Sequence, residues 1–500
     1  MILYNHITNL YSKFKSHKLA KNALFNSSSF VFISFISLII TPFIVRNLTI
    51  EGYGIYILLT SIFGFYGIFD LGLGQGLIKF VSEYQATQDL KKLNDAVNSI
   101  FWTQFFVGAS LSVVLILFAS SLVNLFNVSP ANFYNAVISL KICAIGFFFS
   151  MLSSTFSSVI IGLQRFDITS ITESTINLML NISILVISFL GYGLIGVVAI
   201  TVVSSFISFI TYYFIVTAKL PRYRIYFQID FSILKQFLEF SRNIFLSKIS
   251  NIFANYIVRF VVSFFLGPSA VTYYVIPSKL LGAYGGVMGS AVNTLFPYTS
   301  SLAATGNIDE IRKVFLKASK VFVAILLPLS LFITLFSKAI LMSWIGIEFA
   351  EKSWMVLSIL CISSSIGAIS TIPNLVILGM GNSKLIGIFS IITVISYSLF
   401  LPLFTMHFGL VGASSALLLT SVIVISYVIK KTNLFIGIPF SDYWDHVFSI
   451  HVFPFSLYLT LSLMMIFFTN NNNIYILFFG GILTLFYFYY TYSKTMLRKN

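Results

Sequence analysis

Apolar runs of about 20 residues recur from residue 23 to residue 493, each long enough as a helix to cross the hydrocarbon core of a bilayer. A chain that is 58% hydrophobic and only 9% charged lacks the polar surface of a soluble protein, where about a quarter of residues are charged. The expected fold class is therefore an all-α polytopic membrane protein. Turn signals at Gly191-Tyr192-Gly193, at Gly267-Pro268 and from Asn470 to Asn473 punctuate the runs. Together they predict about 14 transmembrane helices. The first six lie near 23–46, 53–80, 98–122, 134–162, 169–190 and 194–217. Six more lie near 240–266, 271–298, 315–337, 353–379, 384–405 and 409–429, and a last pair near 447–468 and 474–493.

Charge placement supports an even number of crossings. Of the 30 Lys and Arg, most fall in loops on the side of both termini, while Arg46, Lys338 and Lys352 fall on the other. By the positive-inside bias both termini are expected in the cytoplasm, and the net charge of +15 then needs no nucleic acid partner. The polar, basic first residues and the spanning run behind them do not read as a cleavable signal peptide. Cys143 and Cys361 lie in apolar segments and are expected to be buried thiols. The divisions expected are a basic segment (1–22), spans one to six (23–217), a cytoplasmic linker (218–239), spans seven to twelve (240–430), and a C-terminal pair with its tail (431–500). A weak echo between LTIEGYGIY (48–56) and LGPSAVTYY (266–274) carries span one onto span seven, as in transporters built from two lobes. Two cytoplasmic segments read as surface helices: Tyr84 to Val97, and the segment opening at Asn307, whose Ile311, Phe315 and Phe322 share a face.

An ionisable group deep in a membrane costs about 2.5–3.5 kcal/mol, so each needs a reason. Span seven carries Lys248, Asn251, Asn255, Arg259 and Ser263 at helical spacing on one face. Span eight adds Lys279, Gly286, Ser290 and Asn293; span five adds Ser170, Glu173, Asn177 and Asn181. The Asn and Ser residues are either interhelical glue or a cavity lining. Lys248, Arg259 and Lys279 outnumber the deep acids Asp70 and Glu173, which points to a hydrated, net-positive cavity for an anionic substrate. Lys141 either snorkels or functions there, whereas Arg242 and Glu239 sit near a cytoplasmic end. Asp70 either pairs with a cation, caps a kink, or couples transport to an ion.

Several apparent motifs fail. GLGQG at residues 72–76 has Leu77 where a dinucleotide fingerprint needs its third glycine. No Walker A pattern is present, the five histidines do not cluster into a metal site, and the outer loops are too short for a catalytic domain. No catalytic residue is expected.

The words NLTIEGYGIYILLTSIFGFYGIFDLGLGQGLIKFVSEY (47–84) and FLGPSAVTYYVIPSKLL (265–281) resemble the openings of the two lobes of Wzx-type polysaccharide flippases, in the multidrug/oligosaccharidyl-lipid/polysaccharide (MOP) exporter superfamily. The resemblance covers nearly the full length. It implies a MATE-like pair of six-helix lobes with two helices appended, in the inner (cytoplasmic) membrane. It implies transfer of an undecaprenyl-pyrophosphate-linked oligosaccharide to the outer leaflet by alternating access, for O-antigen or capsular polysaccharide. A proton or sodium gradient would drive it, and polymerase and chain-length proteins of the same route are the implied partners. Arg259 stands where many relatives are expected to carry an acid, which weakens any generic coupling scheme through span seven. The alternatives are a multidrug exporter or a lipid II flippase of the same superfamily, and, from another class, a polysaccharide polymerase.

Overall fold

A computed structural model of the protein describes residues 2–220, 223–252, 256–292, 295–468 and 473–496. Side chains are described from residue 33 onward except at 66, 242–251, 287, 290–291, 296–297, 383, 466–468, 473–474 and 492–496. The described residues are helical almost throughout and fall into two compact units, 1–252 and 253–500.

The first unit contains α1 (Ile2–Gly64), α2 (Tyr66–Phe69), α3 (Leu73–Ala86), α4 (Leu90–Leu117), α5 (Ala119–Leu125), α6 (Pro130–Gly162), α7 (Phe166–Phe189), α8 (Gly193–Lys219) and α9 (Phe231–Ile252). The second contains α10 (Val258–Leu266), α11 (Pro268–Val292), α12 (Leu295–Ala304), α13 (Ile308–Leu335), α14 (Ser337–Trp344), α15 (Ile347–Ile369), α16 (Thr371–Gly379), α17 (Ser383–Ile436), α18 (Phe440–Val447), α19 (Ser449–Phe468) and α20 (Asn473–Met496).

Among the described residues, eight helices are long and apolar enough to cross a membrane, or nine if α18 and α19, bent by 47°, form one span. Two of the eight hide a turn. α1 is interrupted at Thr49 (φ 67°), whose hydroxyl then accepts from the Gly52 N–H at 3.3 Å and so starts a new helical segment. α17 is interrupted at Gly409 (φ 59°). A Cβ on Gly412 would overlap the Phe404 carbonyl oxygen, eight residues back, which a straight helix holds about 12 Å away. The chain therefore reverses there, and only glycine leaves room for it.

The first unit is organised around α6. Buried residues make up 61% of its apolar window but only 6% of that of α7. One core cluster joins Leu77, Phe80 and Val81 of α3 to Ile100 of α4, Phe156 and Ile160 of α6, and Phe237 of α9. On the opposite side, Glu51 clamps the start of α6: its carboxylate accepts from Ser129 N–H (2.8 Å), Ser129 Oγ (2.9 Å) and Asn132 Nδ2 (3.0 Å). An anion at a helix N-terminus meets both unpaired amides and the positive end of the dipole. Glu51→Ala is expected to destabilise the first unit by about 2 kcal/mol, with Glu51→Gln milder. Thermal unfolding of the detergent-solubilised protein measures this, and an unchanged midpoint would refute the clamp.

The linker is strapped to α4. The Asn98 amide donates to the Arg224 carbonyl (3.0 Å) and accepts from Tyr226 N–H (3.1 Å). Trp102 Nε1 donates to the Tyr226 carbonyl at 2.9 Å, and Asp230 N–H donates to Ser99 Oγ at 3.1 Å. The Ser232 hydroxyl and N–H and the Ile233 N–H converge on the Asp230 carboxylate, opening α9 and holding that carboxyl below its usual range.

Two expectations change. Span two is broken: α2 ends at Phe69, and Leu71 (φ 50°) and Gly72 (φ 81°) turn the chain before α3. The run read as span seven holds α9 and α10, and residues 253–255 within it lie outside the described residues. The two predicted surface helices are not separate elements. Tyr84 to Val97 contains the end of α3 and the start of α4, capped by Asp89. Asn307 does cap a helix, its side chain accepting from Glu310 N–H at 3.1 Å, but α13 runs on to Leu335 with Pro328 inside it. Ile311, Phe315 and Phe322 are then core residues of the second unit.

Candidate functional site

The break in span two places Asp70 at the start of α3. Its carboxylate accepts from the Gly74 N–H at 3.1 Å (Oδ1) and 3.3 Å (Oδ2), and Gln104 Nε2 of α4 donates to it at 2.9 Å. The side chain is 3% exposed. A residue this buried, accepting from a helix-start amide and a neighbouring helix, is a cap and a brace.

Asp70 also touches a cavity of about 450 Å³ within the first unit, a size ordinary for a small-ligand site. α6 lines it with Ser150, Ser153, Ser154, Ser157 and Ser158; α8 with Thr201, Ser204, Ser205, Ser208 and Tyr212; α7 with Glu173 and Asn177. Among the described lining residues none is Lys, Arg or His, and two are carboxylates. Glu173 is exposed, and the Tyr212 hydroxyl donates to the Thr169 carbonyl at 3.5 Å.

The hydroxyls have a common orientation, set by their helices. Ser150 donates to the Phe147 carbonyl (2.8 Å), Ser154 to Met151 (3.0 Å), Thr201 to Val197 (2.9 Å) and Ser205 to Thr201 (3.2 Å). Asn177 Nδ2 likewise donates to the Glu173 carbonyl at 2.8 Å, and Ser153 pairs with Ser208 across α6 and α8 at 2.8 Å. Helical Ser and Thr routinely bond back in this way. The protons of these four hydroxyls are then spent on backbone. Among its described lining residues the cavity is rich in hydroxyls and carries two carboxylates.

The residues singled out from sequence separate between the two units. Asp70 and Glu173 meet at the cavity. Lys141 is exposed on α6 and is not among the cavity's lining residues. Arg259 and Lys279 belong to the second unit, on α10 and α11, both partly buried; Arg259 stacks over the Tyr256 ring at 5.2 Å. The side chains of Lys248 and Asn251, and all of Asn255, lie outside the described residues. No group of His, Cys, Asp and Glu suited to a metal occurs among the described residues. Sequence reading missed the serines, although their signal was present. Positions 150, 153, 154, 157 and 158, and again 201, 204, 205, 208 and 212, step by three and four along one helical face.

Residues 43–354 match the model of a family described as polysaccharide biosynthesis protein. A putative O-antigen transporter of Shigella flexneri is 23% identical over 395 residues, 79% of this chain and 93% of that protein. Among solved structures, the lipid II flippase MurJ in an inward closed conformation aligns with a TM-score of 0.71 at 18% identity, covering 93% of this chain and 98% of MurJ. An inward-facing multidrug resistance MATE family transporter of the MOP superfamily aligns with a TM-score of 0.69 at 15% identity, covering 83% and 98%. At these identities the two structures establish the fold: all-helical and MATE/MurJ-like.

Proposed function

Because this chain belongs to the polysaccharide biosynthesis protein family, we propose that it is a flippase. Its cargo would be an undecaprenyl-pyrophosphate-linked oligosaccharide, carried from the cytoplasmic to the outer leaflet of the cytoplasmic membrane. The observation that carries this reading is the cavity enclosed by α3, α6, α7 and α8. A hydroxyl-lined, acid-bearing space inside an apolar unit is of no use to a scaffold, and it offers polar cargo a path that lipid does not.

Two kinds of group have different work in this scheme. Arg259 and Lys279, together with Lys248, Asn251 and Asn255, are the groups suited to pyrophosphate, since guanidinium and ammonium bind phosphate oxygens strongly. Glu173, exposed in the cavity beside Tyr212, is the acid suited to an ion-driven cycle. Asp70, committed to Gly74 and Gln104, is the acid that holds the site's shape. Both termini in the cytoplasm and about fourteen crossings belong to the same proposal. Polymerase and chain-length proteins would act on the delivered cargo.

The two carboxylates among the cavity's described lining residues also favour a second reading, a multidrug exporter, whose cargo would be cationic. Deleting the gene separates the two. Loss of surface polysaccharide with accumulation of its lipid-linked precursor is expected; hypersensitivity to cationic drugs with normal polysaccharide would overturn the flippase reading. In the complemented strain, Arg259→Ala and Lys279→Ala are each expected to lower export at least about tenfold, the cost of losing a charged hydrogen bond. Export at the wild-type rate by normally inserted variants would remove these cations from the mechanism.

A further inference from the structure

The end of α17 and the start of α18 form a second cavity, of about 580 Å³, within the second unit. Ile425, Ile429, Ile438 and Phe440 give it apolar walls, and Ser426, Lys430 and Asn433 line it from α17. Its two strongest polar groups differ in their surroundings. Lys430 is exposed and brings a cation to the cavity's rim. Asn433 is 3% exposed, and among the described residues neither its Oδ1 nor its Nδ2 has a hydrogen-bond partner. A buried amide with both ends unmet is costly, and native proteins nearly always supply the partners. Among the described lining residues Lys430 is the only charged one; Asp442 and Asp445 of α18 are exposed and are not among them.

An apolar interior, an amide needing both a donor and an acceptor, and a cation at the rim together complement an amphiphile. α18 suits the same setting: Tyr443 and Val447 are buried, while Trp444 is exposed with its ring centroid 6.4 Å from that of Phe440. Trp collects at the headgroup level of bilayers. Lys430 falls on the side expected to be cytoplasmic, the leaflet whose anionic lipids draw basic side chains. We infer that this cavity binds an anionic glycerophospholipid of the bilayer. Its acyl chain lies along Ile425 and Ile429, its phosphate meets Lys430, and the oxygens of its glycerol backbone meet Asn433. Lys431 has no part in the site, since its ammonium lies over the Tyr427 ring at 5.6 Å. The site is built by the second unit and does not rest on the flippase reading.

Native mass spectrometry of the full chain in detergent, titrated with lipids of matched acyl chains, tests this. Phosphatidylglycerol is expected to bind at least about tenfold more tightly than phosphatidylcholine, the size of one charged hydrogen bond. Lys430→Ala should abolish that preference. Lys384→Ala, which removes an exposed cation near the start of α17, should leave it intact. Ser426→Trp, which fills the apolar part of the cavity with Lys430 still in place, should weaken phosphatidylglycerol about tenfold, the worth of two buried methylenes. Asn433→Leu should weaken both lipids alike, because both carry the glycerol backbone. Equal binding of the two lipids by the wild type overturns the inference, as does a preference that survives Lys430→Ala. Displacement of phosphatidylglycerol by a lower concentration of undecaprenyl phosphate would assign the cavity to a polyprenyl carrier and overturn it. Soluble glycerol 3-phosphate binding as tightly as phosphatidylglycerol would show a phosphate site without a lipid, and would overturn it too. None of these readouts involves export, so this inference and the flippase reading fail separately.

Discussion

Gly76→Leu is expected to detach α9 from the first unit, at a cost of about 3 kcal/mol. α9 lies directly on the glycine face of α3. A Cβ on Gly76 would stand 2.9 Å from Phe237 Cδ1 and 3.2 Å from Ser241 Oγ, and one on Gly72 would stand 2.7 Å from Ser241 Cβ. Phe237 has no room to yield, because it is fully buried and stacked on Phe80 with ring centroids 4.4 Å apart. Ser241 Oγ also donates to the Gly72 carbonyl at 2.7 Å, beside the Gln75 and Gly76 amides that donate to the same oxygen. Displacing α9 would pull on the linker strapped to α4 through Asn98 and Trp102. Thermal unfolding should therefore show a large loss, and limited proteolysis should open the chain between residues 219 and 231. Ser241→Ala, which removes one hydrogen bond and adds no bulk, is expected to cost only about 1 kcal/mol. If Gly76→Leu matched Ser241→Ala, close approach of these helices would not be what the glycines are for.

The second large effect belongs to Asp70→Ala, also about 3 kcal/mol. Removing the carboxylate strands the Gly74 amide and Gln104 Nε2 in a buried site, and each unpaired donor costs roughly 1–3 kcal/mol. Gln104 Oε1 already lacks a hydrogen-bond partner, so its amide has no alternative on that side. Asp70→Asn keeps an acceptor oxygen for Gly74 and is expected to cost less than half as much. Expression and melting temperature of the two variants measure this. An Asp70→Asn protein as stable as wild type but inactive in transport would move Asp70 from bracing into the transport cycle.

What was readable in advance follows from what each signal depends on. Bilayer-length runs are set by local composition, so the all-helical membrane class and the cap at Asn307 came from the chain itself. The break at residues 70–72 depends on Leu71 and Gly72 both turning left-handed, which is stabilised by α9, a helix some 170 residues away. No local pattern announces that partner. Arg259 and Lys279 lie in the second unit, and Asp70 and Glu173 in the first. The serine faces of α6 and α8 were legible by spacing, but each hydroxyl taken singly looks like ordinary interhelical glue.

The central claim is that this chain moves a lipid-linked oligosaccharide across the cytoplasmic membrane. The most direct measurement is the sidedness of that precursor in spheroplasts, read by its accessibility to membrane-impermeant periodate, with and without the chain. The account predicts a precursor protected from oxidation in the deletion strain and oxidised once the wild-type chain is restored, with Arg259→Ala in between. A precursor equally accessible in the deletion and the restored strain would contradict it.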